Sequence, residues 1–232
     1  MTLHGLLFDK DGTLFDFEAT WGAWTAKLLA DLFPGPVGAE VAEVLGFDPG
    51  TLRFAAHSPV IAETSEQVAS LILPFLPGWE KPALIRHMKT EAAGTALVAP
   101  VDLQPLIADF RARGLVLGLA TNDDESSARA HLETAGIAGS FGFVAGYDSG
   151  WGGKPAPGQV QAFLDWSGLA PGSVAMVGDS LHDLHAGRAA GCRTVGVLTG
   201  PATAEALAGE ADVVLPDIGH LPGWLDSIAA EG

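Results

Sequence analysis

The 232-residue chain is poor in cysteine and in positive charge, and it has no long apolar run. Its single cysteine, Cys192, cannot form an intrachain disulfide, which favours a reducing compartment. The 28 acidic residues against 12 basic ones give a net charge of −16, which disfavours nucleic acid and anionic membranes as partners. No stretch approaches the roughly 20 apolar residues of a membrane span, and the N-terminus lacks the pattern of a signal peptide. These absences predict a cytoplasmic protein.

Short apolar runs alternate with helical patterns in the second half of the chain. The runs of strand character lie at 115–120, 141–146, 174–178, 194–198 and 213–215, and the helical patterns lie near 101–113, 125–135, 157–168 and 181–190. Continuous apolar strands between helices are typical of a parallel sheet that is covered on both faces. We therefore predict an α/β fold with a doubly wound, Rossmann-like core.

The first apolar run, 3–8, has the same character but lies more than a hundred residues before the next one. Residues 16–97 between them lack comparable runs, and their apolar side chains recur at helical spacing, as Trp21 and Trp24 do in the first helix. We interpret 16–97 as an inserted helical domain, and 1–15 with 98–232 as the core.

Two carboxylates follow the first predicted strand directly. Asp9 and Asp11 are two residues apart, so in an extended segment their side chains point the same way and face one substrate. Gly12 then allows the chain to turn sharply. One carboxylate can attack while the other moves a proton, a division of labour that suits phosphate chemistry.

Further polar residues follow other predicted strands or lie a few residues beyond them: Thr121, Asn122, Lys154, Asp179 and Asp183. In open α/β sheets, ligands bind beyond the carboxyl ends of the strands. We expect all of these side chains to meet Asp9 in one crevice. Carboxylates, hydroxyl, amide and one ammonium group together predict a phosphoryl-transfer site.

The order of these residues resembles the four motifs of the haloacid dehalogenase superfamily. The matching segments are 9–13, 121–122, 154–155 and 178–183. The resemblance is strongest to the phosphoglycolate-phosphatase-like branch, which carries a helical cap after the first strand, and it covers essentially the whole chain. It implies that 16–97 is such a cap.

The resemblance also implies a role for each residue. Asp9 is the expected nucleophile, which forms an aspartyl-phosphate, and Asp11 is the expected acid and base. Thr121 and the backbone N–H of Asn122 are expected to bind phosphoryl oxygens, and Lys154 to neutralise negative charge.

A magnesium ion is the cofactor that the resemblance implies. Its expected ligands are Asp9, the backbone carbonyl of Asp11, and Asp179, since Mg²⁺ prefers oxygen. Asp183 is expected in a supporting position, where it orients water or holds Lys154.

The implied activity is hydrolysis of a small phosphorylated metabolite, with phosphoglycolate as the leading candidate. Dehalogenases of the superfamily lack the aspartate at the position of Asp11, because a halide leaves without a proton. Two alternatives stay open: a sugar-phosphate mutase on the same scaffold, and a non-catalytic regulatory or binding protein.

Some residues invite a functional role without strong support. His182 and His185 lack a clear third metal ligand and are interpreted as surface residues. Cys192 is interpreted as a small core residue. Arg53 and His57 in the inserted domain are interpreted as solvent-exposed, with contact to the substrate as the alternative.

Overall fold

The computed structural model describes residues 2–55 and 57–230 and divides them into two units. The smaller unit is Phe17–Val98, and the larger one contains the residues before and after it. Both boundaries lie one residue from the predicted ones. Within the described ranges, no helix combines the length and the apolar character that a bilayer span requires.

The chain begins the larger unit with β1 (Gly5–Phe8), in which every residue is buried, and then enters the smaller unit. That unit contains the helices α1 (Phe17–Leu32), α2 (Pro36–Val44), α3 (Pro59–Ala62), α4 (Ser65–Ile72) and α5 (Lys81–Ala93), with a 3₁₀ turn at Leu73–Phe75. It also holds an antiparallel ribbon of β2 (Phe47–Asp48) and β3 (Arg53–Phe54). The ribbon was not predicted, because strands of two residues are too short to show an alternating pattern.

The smaller unit has its own apolar core, in which Val41, Ile72 and Leu84 are fully buried. Trp21 and Trp24 pack against this core from α1, and their rings meet edge to face with centroids 5.5 Å apart. Both tryptophans therefore serve packing within the unit, as the helical spacing predicts.

After the smaller unit the chain alternates between helices and strands. The elements are α6 (Leu103–Ala112), β4 (Val116–Ala120), α7 (Glu125–Thr134), β5 (Phe143–Ala145), α8 (Gly158–Ser167), β6 (Val174–Gly178), α9 (Leu181–Ala189), β7 (Arg193–Val197), α10 (Ala204–Ala208), β8 (Val213–Leu215) and α11 (Leu221–Ala230). Further 3₁₀ turns lie at Ala138–Ser140, Pro171–Ser173 and Ile218–His220. The helices α10 and α11 are additions to the predicted pattern.

Six strands in the described part of the larger unit form one parallel sheet in the order β5-β4-β1-β6-β7-β8. This confirms the predicted α/β fold class. The strand β1 lies between β4 and β6, with Phe8 opposite Leu119 and Val177. The residues that follow these three strands therefore emerge side by side at one edge of the sheet.

Candidate active site

The candidate site lies where β1, β4 and β6 end. The Asp9 N–H donates to the Val177 carbonyl at 2.8 Å, which continues the pairing of β1 with β6 one residue past the strand. The Thr121 N–H likewise donates to the Ala145 carbonyl at 2.9 Å. Asp9, Thr121 and Asp179 are all buried, so the sheet fixes their backbone and the surrounding protein limits contact with water.

Lys154 connects two of the predicted carboxylates. Its Nζ donates to Asp9 Oδ1 and Asp183 Oδ1, each at 2.6 Å, and to the Ala120 carbonyl at 2.8 Å. An ammonium group has three hydrogens to donate, and these contacts use all of them. Burial alone would lower the pKa of Lys154, but Asp183 and Asp9 outweigh it and raise the pKa above the ordinary value. The site therefore holds a permanent positive charge against Asp9.

Asp183 is held in turn by the start of α9. Its Oδ2 accepts from the Ser180 backbone N–H at 3.0 Å and from the Ser180 hydroxyl at 2.6 Å. A side chain at Gly178 would collide with it, because a Cβ there would lie 2.3 Å from the Asp183 carboxyl group. Asp183 thus holds Lys154, which is one of the two supporting roles expected for it.

The side chain of Asn122 has a function that the sequence did not indicate. Its Oδ1 accepts from the Lys154 backbone N–H at 2.8 Å, and its Nδ2 donates to the Lys154 carbonyl at 3.0 Å. These two bonds clamp the backbone of Lys154 to the end of β4. The prediction concerned only the backbone N–H of Asn122.

The Thr121 side chain and carbonyl both accept hydrogen bonds within the larger unit. Its Oγ accepts from the Asp123 N–H at 3.1 Å, so the hydroxyl can still donate. Its carbonyl accepts from Gln159 Nε2 at 3.0 Å. Gln159 is fully buried in α8 and was missed, since a single glutamine within a helical pattern gives no sign of its partner.

Three buried carboxylates, those of Asp9, Asp179 and Asp183, each offer an oxygen within 4.8 Å of the other two. Burial raises the pKa of Asp9 to about 7, with Lys154 opposing the shift and Asp183 adding to it. Burial, then Asp183 and Asp9, raise the pKa of Asp179 well above its usual range. Such a set of oxygens, with more negative charge than Lys154 balances, fits a small hard cation such as Mg²⁺.

The backbone comes unusually close to Asp179. A Cβ at Gly200 would lie 1.7 Å from Asp179 Oδ2, and one at Gly12 would lie 2.4 Å from the same carboxyl group. Only glycine leaves room for that carboxylate in its present position. The chain therefore fixes Asp179 by close approach of backbone as well as by the end of β6.

Asp11 faces a buried lysine that the sequence reasoning did not select. Lys10 is fully buried, and its Nζ lies 3.2 Å from Asp11 Oδ2. It also donates to Asp123 Oδ2 and lies 3.0 Å from His131 Nδ1. Burial alone would lower the pKa of Lys10, but Asp11 and Asp123 raise it above the ordinary value. Strict strand alternation would have turned Lys10 away from Asp9 and Asp11, so the pattern gave no signal for these contacts.

In the smaller unit, Arg53 pairs with Glu18 at 3.0 Å and its side chain is exposed. His57 is exposed as well. Any contact of these two residues with a substrate stays a prediction.

The sequence analysis also interpreted His182, His185 and Cys192. His185 is exposed and His182 half-buried on α9. Cys192 is buried, and burial raises the pKa of its thiol to about 11, as expected of an unreactive core cysteine.

Comparison with known families decides the classification of the chain. The family model described as haloacid dehalogenase-like hydrolase matches residues 3–191, a span that includes every predicted site residue. The chain belongs to the haloacid dehalogenase-like hydrolases. This hydrolase is 30% identical over 225 residues to phosphoglycolate phosphatase of Escherichia coli (strain K12), with 93% of this chain and 88% of the relative covered. The match confirms the predicted family and the predicted enzyme class, a phosphatase.

Solved structures show the same fold for this hydrolase. A predicted phosphoglycolate phosphatase from Haemophilus somnus superposes with a TM-score of 0.72 at 20% identity, covering 96% of this chain and 98% of that one. The hydrolase YfnB of Bacillus subtilis, bound to magnesium, superposes with a TM-score of 0.69 at 19% identity, covering 97% and 99%. Both agree with the predicted architecture.

Proposed function

We propose that this hydrolase is a magnesium-dependent phosphatase that cleaves a small phosphomonoester through a phosphoaspartate at Asp9. The observation that carries the proposal is the placement of Asp9. Its carboxylate is buried at the end of β1, 2.6 Å from Lys154 Nζ, and lies beside Asp179 and Asp183.

In the first step a carboxylate oxygen of Asp9 attacks phosphorus, and the bond from phosphorus to the ester oxygen breaks. The leaving oxygen takes a proton from Asp11. In the second step water attacks the phosphoaspartate, Asp11 takes a proton from that water, and inorganic phosphate leaves with Asp9 restored. Splitting hydrolysis in this way replaces one difficult step by two easier ones.

The attack requires the ionised form of Asp9. Burial raises its pKa to about 7, and Lys154 counteracts the shift through its charge and its hydrogen bond. Lys154 thus serves the nucleophile directly. The Thr121 hydroxyl and the Asn122 backbone N–H are proposed to bind the phosphoryl oxygens, where fixed donors stabilise spreading negative charge.

Asp9, Asp179 and the backbone carbonyl of Asp11 are proposed to hold Mg²⁺, whose charge would offset the repulsion between these carboxylates and the phosphoryl group. The support is the buried acidic set itself. The magnesium bound to the Bacillus subtilis relative agrees with this choice of metal.

We further propose phosphoglycolate, or a monoester of similar size, as the substrate. The support is the similarity to the Escherichia coli phosphatase across nearly the full length of both chains. In this proposal the smaller, helical unit is a cap that selects the ester group. A cytoplasmic location stays a prediction.

The test is release of inorganic phosphate from phosphoglycolate and a panel of phosphomonoesters, with and without Mg²⁺. We expect Mg²⁺-dependent release by the wild-type protein and none by Asp9→Asn, which is nearly isosteric. Circular dichroism and thermal unfolding of the variant check that it is folded. Isomerisation of a sugar phosphate without net phosphate release would instead show a mutase, and no reaction with the whole panel would support a regulatory protein.

A further inference from the structure

Lys10 is a fully buried cation that the reaction described above does not use. It lies between the two catalytic aspartates in the sequence, yet its ammonium group contacts Asp11, Asp123 and His131. We name these four residues the Lys10 cluster. A buried charge is costly unless its partners compensate it, so this ammonium is tied closely to its surroundings.

His131 must accept a hydrogen bond from Lys10. An ammonium group has only hydrogens to offer, so the contact of 3.0 Å between Lys10 Nζ and His131 Nδ1 requires a lone pair on that nitrogen. Burial, and then the charge of Lys10, lower the pKa of His131 to about 4. The ring is therefore neutral near pH 7 and carries its hydrogen on Nε2.

Two anchors of Lys10 lie in or just before one helix, α7. His131 lies within α7, and Asp123 lies two residues before that helix begins. The start of α7 is fixed by Asp124, whose Oδ1 accepts from the Ser127 N–H at 3.0 Å. Asp123 Oδ1 in turn accepts from the Asp124 N–H at 2.8 Å. The ammonium group of Lys10 is thus held from the helix side and presented to Asp11.

We infer that Lys10 is a positioning residue that holds the Asp11 carboxyl group in place for proton transfer, with Asp123 and His131 as its anchors. The inference rests on the proposed function, which gives Asp11 the role of acid and base. General acid–base catalysis depends on a carboxyl group within hydrogen-bond reach of the reacting oxygen. A carboxyl group free to rotate would spend much of its time out of reach.

The dependence of the first-turnover rate on the leaving group is a readout that a purely structural role of Lys10 would not change. An alkyl ester releases an alkoxide that needs a proton, whereas 4-nitrophenyl phosphate releases a stable phenolate that needs little help. We expect Lys10→Met to slow the first turnover of an alkyl monoester by about 100-fold, within the range for loss of a general acid. For 4-nitrophenyl phosphate we expect the first turnover to slow less than about 5-fold. Rapid-quench measurement of the released alcohol or phenol reports this step alone.

Control variants separate positioning from other effects. Asp11→Asn should show the same dependence on the leaving group, and adding Lys10→Met to it should change nothing further, because both act on one proton transfer. Arg113→Met removes an ion-paired cation at the surface of the same unit and should leave both first turnovers unchanged.

Removal of a buried cation can also prevent folding, so two variants keep the inference testable. Lys10→Met with Asp123→Asn removes both charges of one ion pair, which spares the fold an unpaired carboxylate at Asp123. Asp123→Asn alone keeps the ammonium beside Asp11 and loses only an anchor. We expect the same selective slowing in each folded variant, smaller in Asp123→Asn.

The outcomes distinguish this inference from the proposed function. If the folded variants at Lys10 and Asp123 turn over both substrates more slowly by the same factor, or both at the wild-type rate, Lys10 does not position Asp11. The proposed function still stands in that case, provided that the wild-type protein releases phosphate and Asp9→Asn does not. If the wild-type protein releases no phosphate from any monoester, the proposed function fails instead.

Discussion

The candidate site contains two buried ammonium groups that are alike in chemistry and different in what they touch. Lys154 lies between Asp9 and Asp183, and its third partner is a backbone carbonyl. Lys10 lies between Asp11 and Asp123, and its third partner is a neutral imidazole. The first ammonium touches the proposed nucleophile, and the second touches the proposed proton carrier. In the proposed mechanism, charge stabilisation and proton transfer therefore depend on separate buried ion pairs, each with its own anchors.

The largest effect that tests this difference is expected for Lys154→Met. Loss of the ammonium removes a fixed charge from Asp9 and from the phosphoryl group, so phosphate release should fall by about 10³-fold, as for other preorganised electrostatic groups. The fall should be similar for alkyl and 4-nitrophenyl esters, in contrast to Lys10→Met, and single-turnover rates measure it. A fall confined to the alkyl ester would mean that Lys154 and Lys10 both act on proton transfer to the leaving group, and the proposed difference between them would be wrong.

A smaller effect is expected from metal binding, for which Asp9, Asp179 and the backbone carbonyl of Asp11 are the proposed ligands and the side chains of the Lys10 cluster are not. At about 100 times its dissociation constant, Mg²⁺ should raise the free energy of unfolding by about 2.7 kcal/mol, because it binds the native state alone. Thermal or urea unfolding with and without Mg²⁺ measures the shift. Asp179→Asn should abolish it.

The matched control for metal binding is Asp123→Asn, which also neutralises a carboxylate beside a buried lysine. It should retain the stabilisation by Mg²⁺. Equal loss in both variants would mean that the two clusters act as one site.

The sequence predicted that Lys154 meets Asp9 and Asp183, but it did not indicate the contacts of Lys10. The difference has a physical reason. Asp9 and Asp179 directly follow strands in which every residue is buried, and the parallel sheet brings the ends of such strands together whatever the intervening sequence. Lys10 finds its partners through a turn after β1 and through a helix more than a hundred residues away. Periodicity describes neither feature. Gln159 and the side chain of Asn122 were missed likewise, because a hydrogen bond between distant segments leaves no local pattern.

The fold, like the site, was predicted only in part. Strands of the larger unit were predicted from their apolar runs, whereas the ribbon of β2 and β3, with two residues in each strand, was not. Elements that are defined by burial along their length are visible in a sequence. Elements held by a few local bonds are not.

The third partner of Lys154 is a backbone carbonyl, and that of Lys10 is the imidazole of His131. The pH dependence of stability should distinguish these two acceptors. A backbone carbonyl does not titrate, but burial and Lys10 lower the pKa of His131 from 6.5 to about 4. Between these values the unfolded chain takes up a proton that the native state excludes, so the free energy of unfolding decreases as the pH falls. His131→Asn keeps an acceptor near Lys10 and removes the titration. Relative to this variant, the wild-type protein should lose about 1 to 2 kcal/mol between about pH 7.5 and pH 5.

Urea unfolding of both proteins without metal, at the two pH values, measures that difference. Asp9 and Asp179 have raised pKa values, which act in the opposite direction, but both proteins contain them and their contribution cancels. Parallel pH profiles would mean that His131 has the same pKa in the native state as in the unfolded chain, so that Lys10 does not keep the native imidazole neutral at about pH 5.

The smallest expected effect comes from Gly200→Ala, which sharpens the comparison by disturbing one cluster alone. A Cβ at this position would lie 1.7 Å from Asp179 Oδ2, so the carboxylate or the backbone must move. We expect the affinity for Mg²⁺ to fall about tenfold, or about 1.4 kcal/mol, as measured by titration of activity and of thermal stability. Gly172→Ala is the control, because its Cβ would meet nothing within 4 Å. The ratio of alkyl to 4-nitrophenyl turnover at saturating Mg²⁺ should stay unchanged in Gly200→Ala, since the Lys10 cluster is untouched; a changed ratio would show that Asp179 and Asp11 move together.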